Sequence, residues 1–459
     1  MVLNDVFERF VQHSPLAVMA RLTMQRALSP QWIDDLFEQH RQRQYTRELL
    51  FSTVVDLMTL VVLGQRPSLH AAAQARGELA VSLAALYDKV NHTEPELVRA
   101  LVQGSAERLA PLVRPMRKQQ ASWAGGYQVR IVDGNHLPAS EKRLKPLRGF
   151  RGAALPGQSL VVYSPEEDLV IDMVPGEDAH AQERTLMGHV LARAKPGELW
   201  LADRNFSTTG IFFALHDKGA AFIIREHGVS PNPTAVGEQQ EVGRVETGTV
   251  FEQAVQIEDE AGRQLQLRRI ELHLDQPTED GDTVIRLLTN APVERLGAQE
   301  VARLYRQRWG IEGMFGRLES VLNSEIGTLG NPRAALLAFG VAVTAYNVLA
   351  VLQAAIEAEH QIQVSEFQIS SYYIADEVRA SYAGMMIALP APFWEKLDEQ
   401  SDAQLNRTLL QVAARVDPKK LRKHPRAPKK KTKKDYVPRK VASKHVSTAR
   451  VLKGKESTQ

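Results

Sequence analysis

Apolar residues recur at three- and four-residue spacing through the first 120 positions, in PLAVMARLTMQRAL, QWIDDLFEQH and ELLFSTVVDLMTLVVL, which predicts several helices with one apolar stripe each. The stretch SLHAAAQARGELAVSLAALYDKV breaks at Gly77 and resumes near Ser82, so residues 68–91 predict two short helices around a turn, either a helix-turn-helix or an ordinary helical hairpin. At Tyr127 the period drops to two. YQVRIVD, QSLVVYS and DLVIDMV read as strands, the last two closed into a hairpin by PEED. A helix over about 181–194, a strand in PGELWLAD, a helix over about 208–218 and a strand in AAFIIR follow, which gives the order β-β-β-α-β-α-β. GTVFEQAVQIED, RQLQLRRIELHLD and TVIRLLTN alternate again, a β-rich insertion over about 227–290. Helical spacing then returns, first in YRQRWGIEGMFGRLES at 305–320.

That last segment, taken as one helix, carries two stripes. Leu304, Ile311, Phe315 and Leu318 form the apolar one, while Tyr305, Arg308, Glu312 and Gly316 fall within about 80° of one another beside it. A solvated face with an i,i+4 Arg308–Glu312 pair would look the same, so the pattern alone does not separate a site from a surface. Residues 334–356 hold no charge over 23 positions, long enough for a bilayer. Ala and Gly dominate there and Thr344, Asn347 and Gln353 interrupt it, so the expectation is a buried helix, with no membrane partner.

Length and charge sharpen the division. A chain of 459 residues, 44% apolar, can bury a large core in more than one domain. The absence of cysteine excludes disulfides, thiolate metal sites and a cysteine nucleophile, and fits a reducing compartment. MVLNDVFERFVQHSPL has acids among its apolar residues and does not read as a signal peptide. From Pro418 to the end there are 16 Lys/Arg against 2 Asp/Glu, a surplus of +14, so with a total of +3 the rest of the chain carries −11. The segment 418–459 is therefore expected to be a disordered basic tail that attracts polyphosphate through counterion release; a merely solubilising tail has the same composition. The other divisions expected are a helical N-terminal DNA-binding region at 1–120, an α/β catalytic domain at 121–330 and a helical region at 331–417.

The strand order is that of ribonuclease H-like folds, in which the first and fourth strands lie side by side and parallel. Both end in Asp: Asp133 in RIVDGNH and Asp203 in LWLADRNF. Sites in open α/β sheets form at the carboxyl ends of adjacent strands, so these carboxylates are expected to meet. With Glu312 they supply three hard oxygen ligands, a set suited to Mg²⁺ or Mn²⁺. Two such ions roughly 3.5–4 Å apart clamp the attacking and leaving oxygens of a phosphoryl displacement. Tyr305 and Arg308 would hold phosphate on the same face, Arg308 through its planar fork. Lys142, Arg143, Lys145 and Arg148 form a basic loop after the first Asp, a DNA grip or a solvated loop. His136 and His180 lie near the expected site; lone histidines are more often structural. No Gly-rich phosphate loop and no HExxH pattern occurs.

IVDGNHLPASEKRLKPLRG, LADRNFSTTGIFFAL and YRQRWGIEGMFGRLES resemble the three blocks of the bacterial insertion-sequence DDE transposases, in the group with a Y-(2)-R-(3)-E-(6)-K signature. Tyr305, Arg308 and Glu312 fit that spacing, and LLTN and Trp309 fit as well, so the resemblance covers about residues 127–325. It implies an RNase H-like domain with the β insertion between the second Asp and the Glu, two metal ions per site and a homodimer in a paired-end DNA complex. Terminal inverted repeats and target DNA would be the partners, in the cytoplasm on the nucleoid. Two positions depart from the group. Glu319 stands where the signature has Lys, with Arg317 the nearby cation, and residues 227–290 contain no Trp to hold a flipped base. A transposase-derived DNA-binding protein without cleavage activity, and a metal-dependent nuclease without strand transfer, remain as alternatives.

Overall fold

The uncharged run at 334–356 folds as the middle of a 28-residue helix that other elements enclose. The computed structural model describes residues 2–44, 48–77, 79–117, 124–278, 281–363, 367–424 and 445–454. Its N-terminal part is helical as expected: α1 (Val2–His13), α2 (Pro15–Ala27), α3 (Pro30–His40), α4 (Phe51–Val62), α5 (Leu69–Ala75), α6 (Leu83–His92) and α7 (Pro95–Met116). Ser68 and Ser82 cap α5 and α6 by accepting the N–H groups of Ala71 and Ala85, which is why the chain stops and restarts there.

The main sheet begins with β1 (Gln128–His136), β3 (Gln158–Ser164) and β4 (Leu169–Gly176), while the short β2 (Ala153–Leu155) between β1 and β3 lies outside it. The helix expected over 181–194 is shorter: a 3-10 turn at Glu183–Leu186 runs into α8 (Met187–Leu191). After it come β5 (Glu198–Ala202), α9 (Thr209–Asp217) and β6 (Ala221–Arg225). The insertion forms β7 (Thr234–Ala235), β8 (Gln240–Val245), β9 (Gly248–Glu258), β10 (Gln264–Leu274) and β11 (Val284–Thr289). Strands run β4-β3-β1-β5-β6-β11-β10-β9-β7, with β8 also on β9. The insertion thus extends the same sheet, because β11 pairs antiparallel with β6. β1 and β5 are parallel neighbours, as the order of strands requires.

The segment expected as one helix over 305–320 is two, α10 (Ala298–Arg306) and α11 (Trp309–Val321). At the joint the Arg308 N–H donates to the Tyr305 carbonyl (3.0 Å) and the Ile311 N–H to the Arg308 carbonyl (3.1 Å), so the chain winds more tightly than an α-helix. Tyr305 thereby enters the core while Arg308 turns toward the sheet, which a single ideal helix with both on one face would not allow. Next comes α12 (Pro332–Glu359), capped by Asn331. Although long and apolar enough to cross a membrane, α12 is buried against α2, α4, α7 and β4 and against α15 (Asp402–Ala413). α13 (Ser371–Ala388) and α14 (Ala391–Asp398) complete this helical layer.

A correction concerns the end of the basic tail. Leu421 is buried in a 3-10 turn, and β12 (His445–Ser447) adds to β2 as a parallel strand, followed by α16 (Thr448–Leu452). Val446 and Ala449 are buried, and Asp178 accepts from Ser447 Oγ at 2.8 Å and Arg450 Nε at 2.6 Å. Two apolar side chains and an open strand edge outweigh the charge of the surrounding tail. The most cationic part, 425–444, lies outside the described residues.

The polar interruptions in α12 have partners. Asn347 is fully buried, donates from Nδ2 to the Val170 carbonyl and accepts the Val170 N–H at Oδ1, both at 2.8 Å, so it serves β4 as one more strand neighbour would. Asn347→Leu orphans both backbone groups, each at a cost of about 1–3 kcal/mol. The expected result is a loss of roughly 2–4 kcal/mol in urea unfolding; a change below about 0.5 kcal/mol contradicts this account.

Candidate active site

The parallel register sets the first two carboxylates. Ile131 pairs with Leu201 at the end of the β1–β5 ladder, so two residues further along each chain Asp133 stands abreast of Asp203. Neighbouring strands lie about 4.8 Å apart, and the period of two points both side chains to one face. Asp203 is held by accepting the Asn205 N–H at 2.8 Å, as cap of a 3-10 turn. Asp133 accepts the Gly134 N–H at Oδ1 (3.0 Å) and Arg308 Nη1 at Oδ2 (2.9 Å).

Arg308 is the pivot. Its Nη2 donates to Glu312 Oε1 at 3.0 Å, so one guanidinium joins Asp133 on the sheet to Glu312 on α11. Burial works against its charge, and Tyr305, Asp133 and Glu312 more than offset it. Its Nε is buried with no hydrogen-bond partner among the described residues, so the fork is not fully used. Tyr305 lies beneath it; burial, with Arg308 opposing, pushes the phenol up to about 12. Burial likewise pushes Asp133 up to about 6, and Asp203 and Glu183 add to the rise while Arg308 and the Gly134 N–H resist it.

Glu183, which the sequence reading missed, closes the other side. Its carboxylate lies against Gly134, where a Cβ would come within 2.1 to 2.6 Å of its atoms. His136 Nδ1 is 3.7 Å away, so this histidine has a role in the site's wall. Burial raises the Glu183 pKa, Asp203 adds to the rise, and His136 and Asn205 lower it. The signal that could have found it is the glycine directly after Asp133, a position where another chain segment approaches closely.

Other expected residues are placed elsewhere. Arg317 is turned inward: its guanidinium donates to Asp168 (2.8 Å) and to Tyr346 Oη, so it ties α11 to the β3–β4 turn and α12 instead of standing on the Glu312 face. Lys142 Nζ donates to the Phe150 carbonyl, Arg143 pairs with Glu141 at 2.6 Å, and Arg148 donates to the Arg143 carbonyl. Lys145 is exposed, as is Glu319. His180 donates its N–H to Asp178, in the region where the C-terminal segment docks. On α6 the exposed positions are Ala84, Ala85, Asp88 and His92, with Lys89 drawn onto Leu49 and Phe37, so the outer side of that helix offers no Lys or Arg to DNA.

The donor set is all oxygen and partly desolvated, which fits a hard divalent cation. Among the described residues no three acidic or histidine side chains converge on one point, because Arg308 stands between Asp133 and Glu312 as the balancing cation. Asp133, Asp203 and Glu312 fit a metal once that guanidinium gives way. Residues 124–348 match the family described as transposase DDE domain, a span that contains all three carboxylates and Arg308. No individual curated protein gives a significant match to the chain.

The raised pKa of Asp133 has a consequence for stability. The folded chain holds this proton more tightly than the unfolded chain, so its contribution falls as pH rises from about 4 through about 6 and is then level. Asp133→Asn is therefore expected to melt higher than the parent at pH 8 in chelator, by on the order of 2–3 kcal/mol, with the gap closing toward pH 4. A gap that widens on acidification contradicts the assignment.

Proposed function

We propose that this chain is the transposase of an insertion sequence, which binds terminal inverted repeats, cuts the DNA ends and joins them to target DNA. The observation that carries the reading is the placement of Asp133 abreast of Asp203 on parallel strands, with Glu312 linked to them through Arg308 inside the matched domain. On this reading the core at 121–330 is RNase H-like, the group is the one with the Y-(2)-R-(3)-E signature, and two Mg²⁺ or Mn²⁺ ions are the cofactors. When bound, the ions activate the attacking oxygen and stabilise the leaving one.

The chain's own residues divide the remaining work. Asp133, Asp203 and Glu312 hold the cations. Arg308 balances the carboxylates in their absence and is placed to take DNA phosphate oxygens with its fork when the cations replace it. Tyr305, buried beneath, keeps the guanidinium in position. Trp309 is half exposed in a cleft with Arg303 and Arg306, both of which pair with Glu246 there, so what the cleft offers nucleic acid is the aromatic face. Lys142, Arg143, Lys145 and Arg148 and the cationic tail supply further phosphate contacts, and two copies act together on paired ends in the bacterial cytoplasm.

The test is metal-dependent cleavage of the element's end DNA, followed by joining of a precut 3′-OH end. Asp133→Asn, Asp203→Asn and Glu312→Gln each abolish cleavage while DNA binding stays within about threefold, because remote phosphate contacts remain. Full cleavage by any of the three rules out that residue as a ligand; cleavage without joining identifies a nuclease, and no cleavage by the parent identifies a DNA-binding derivative. Arg308→Lys keeps the charge but cannot span two oxygens at once, so its cleavage rate falls at least tenfold with melting little changed; a parental rate removes Arg308 from the site.

A further inference from the structure

Most half-buried carboxylates in this fold carry an arginine. Glu198 meets Arg130 at 3.1 Å, Glu226 meets Arg269 at 2.8 Å, Asp172 meets Arg99 at 2.9 Å and Glu271 meets Arg286 at 3.0 Å. Glu183 is somewhat less enclosed, with its side chain 19% exposed against 8–11% for those four, and among the described residues the one cationic group within 4 Å is His136, at 3.7 Å and half exposed. Its other partner is the neutral Asn205, two residues after Asp203. The carboxylate therefore bridges the segments that follow Asp133 and Asp203, against Gly134 on one side and Asn205 on the other. Asp133, Asp203 and Glu183 thus lie close enough to raise one another's proton affinity without meeting at one point, with Arg308 on the Asp133 side and only His136 on the Glu183 side, an arrangement a fold tolerates where a cation is to come.

Resting on the metal-dependent reading above, we infer that Glu183 is a fourth carboxylate of the metal site, facing the water shell of an ion held by Asp133 and Asp203. Mg²⁺ and Mn²⁺ keep several waters when bound by few carboxylates, and those waters need acceptors fixed around them. Glu183 is suited to this because the backbone fixes it: Gly134 leaves the space it occupies, and the 3-10 turn at Glu183–Leu186 delivers it there. Gly134 is then a requirement of the site and not of the strand, since its φ lies outside the left-handed region and any residue could adopt its backbone.

The experiment is a Mn²⁺ titration of the full chain without DNA, with free Mn²⁺ read by electron paramagnetic resonance and folding checked by circular dichroism. Glu183→Gln, which keeps the shape, is expected to weaken Mn²⁺ binding about tenfold or more, the range for loss of an outer-shell partner. Gly134→Ala changes no ionisable group and gives a similar loss, because its Cβ displaces the carboxylate. Asp203→Asn separates the two readings. If it weakens Mn²⁺ binding while Glu183→Gln binds as the parent does, the fourth-carboxylate inference is overturned and the triad stands. If the parent does not bind, or Asp203→Asn binds as well as the parent, the metal-site reading fails and this inference with it.

Discussion

Like charges held side by side in a half-buried place set the terms for everything around them. The parallel pairing of β1 with β5 brings Asp133 and Asp203 abreast whatever their side chains prefer, because the register is set by the apolar residues of the two strands. Val129, Ile131, Leu199 and Leu201 are all fully buried in one core while Val132, Trp200 and Ala202 pack into a second on the opposite face, so sliding either strand by one residue would exchange the side chains of two differently shaped cores. Burial of that ladder therefore opposes the repulsion at its end. Arg308 reduces the repulsion locally, while burial first and Asp203 second still push Asp133 up to about 6.

A second polar cluster carries the load on the far side of α11. Asp168, in the left-handed region at φ 53°, accepts from Tyr163 (2.6 Å), Tyr346 (2.5 Å) and Arg317 (2.8 Å). Those partners come from β3, α12 and α11, so one buried carboxylate joins the hairpin, the central helix and the helix that carries Glu312. Satisfied buried networks of this kind fix relative positions more than they add stability.

Much of this was legible in the sequence. Alternation found β1, β3 to β6 and β9 to β11, and from their order the meeting of Asp133 with Asp203 followed. The Tyr305, Arg308, Glu312 spacing pointed to the helix whose Arg308 joins Glu312 to Asp133. What escaped was tertiary or broke the assumed period. Arg317 is the nearest cation to the missing Lys in sequence, yet it lies about 140° round the helix from Glu312, on the side of Asp168 and Tyr346. The joint at Gln307 and Arg308 escaped because no proline or glycine marks it. Glu183 escaped because its element is a single 3-10 turn and its significance lies in what it touches. β12 was hidden in a tail whose charge dominated its composition.

The three carboxylates differ in how firmly they are held, and that difference bears on how the site can respond to a cation. Asp133 sits within β1, just past the end of its ladder with β5, Asp203 directly follows β5, and each accepts a backbone N–H. Glu312 is exposed over 55% of its side chain, lies in the first turn of a helix that begins at a tightened joint, and is held only by Arg308 among the described residues. Replacing the guanidinium by a metal ion would therefore require movement of Arg308 and Glu312 and little of the sheet. The Asp168 cluster anchors α11 about one and a half turns further along, so the adjustment is confined to the helix's first turn. On the proposed reading, a rigid pair of carboxylates and one adjustable carboxylate on an anchored helix would accept cations without loosening the fold that brings the pair together.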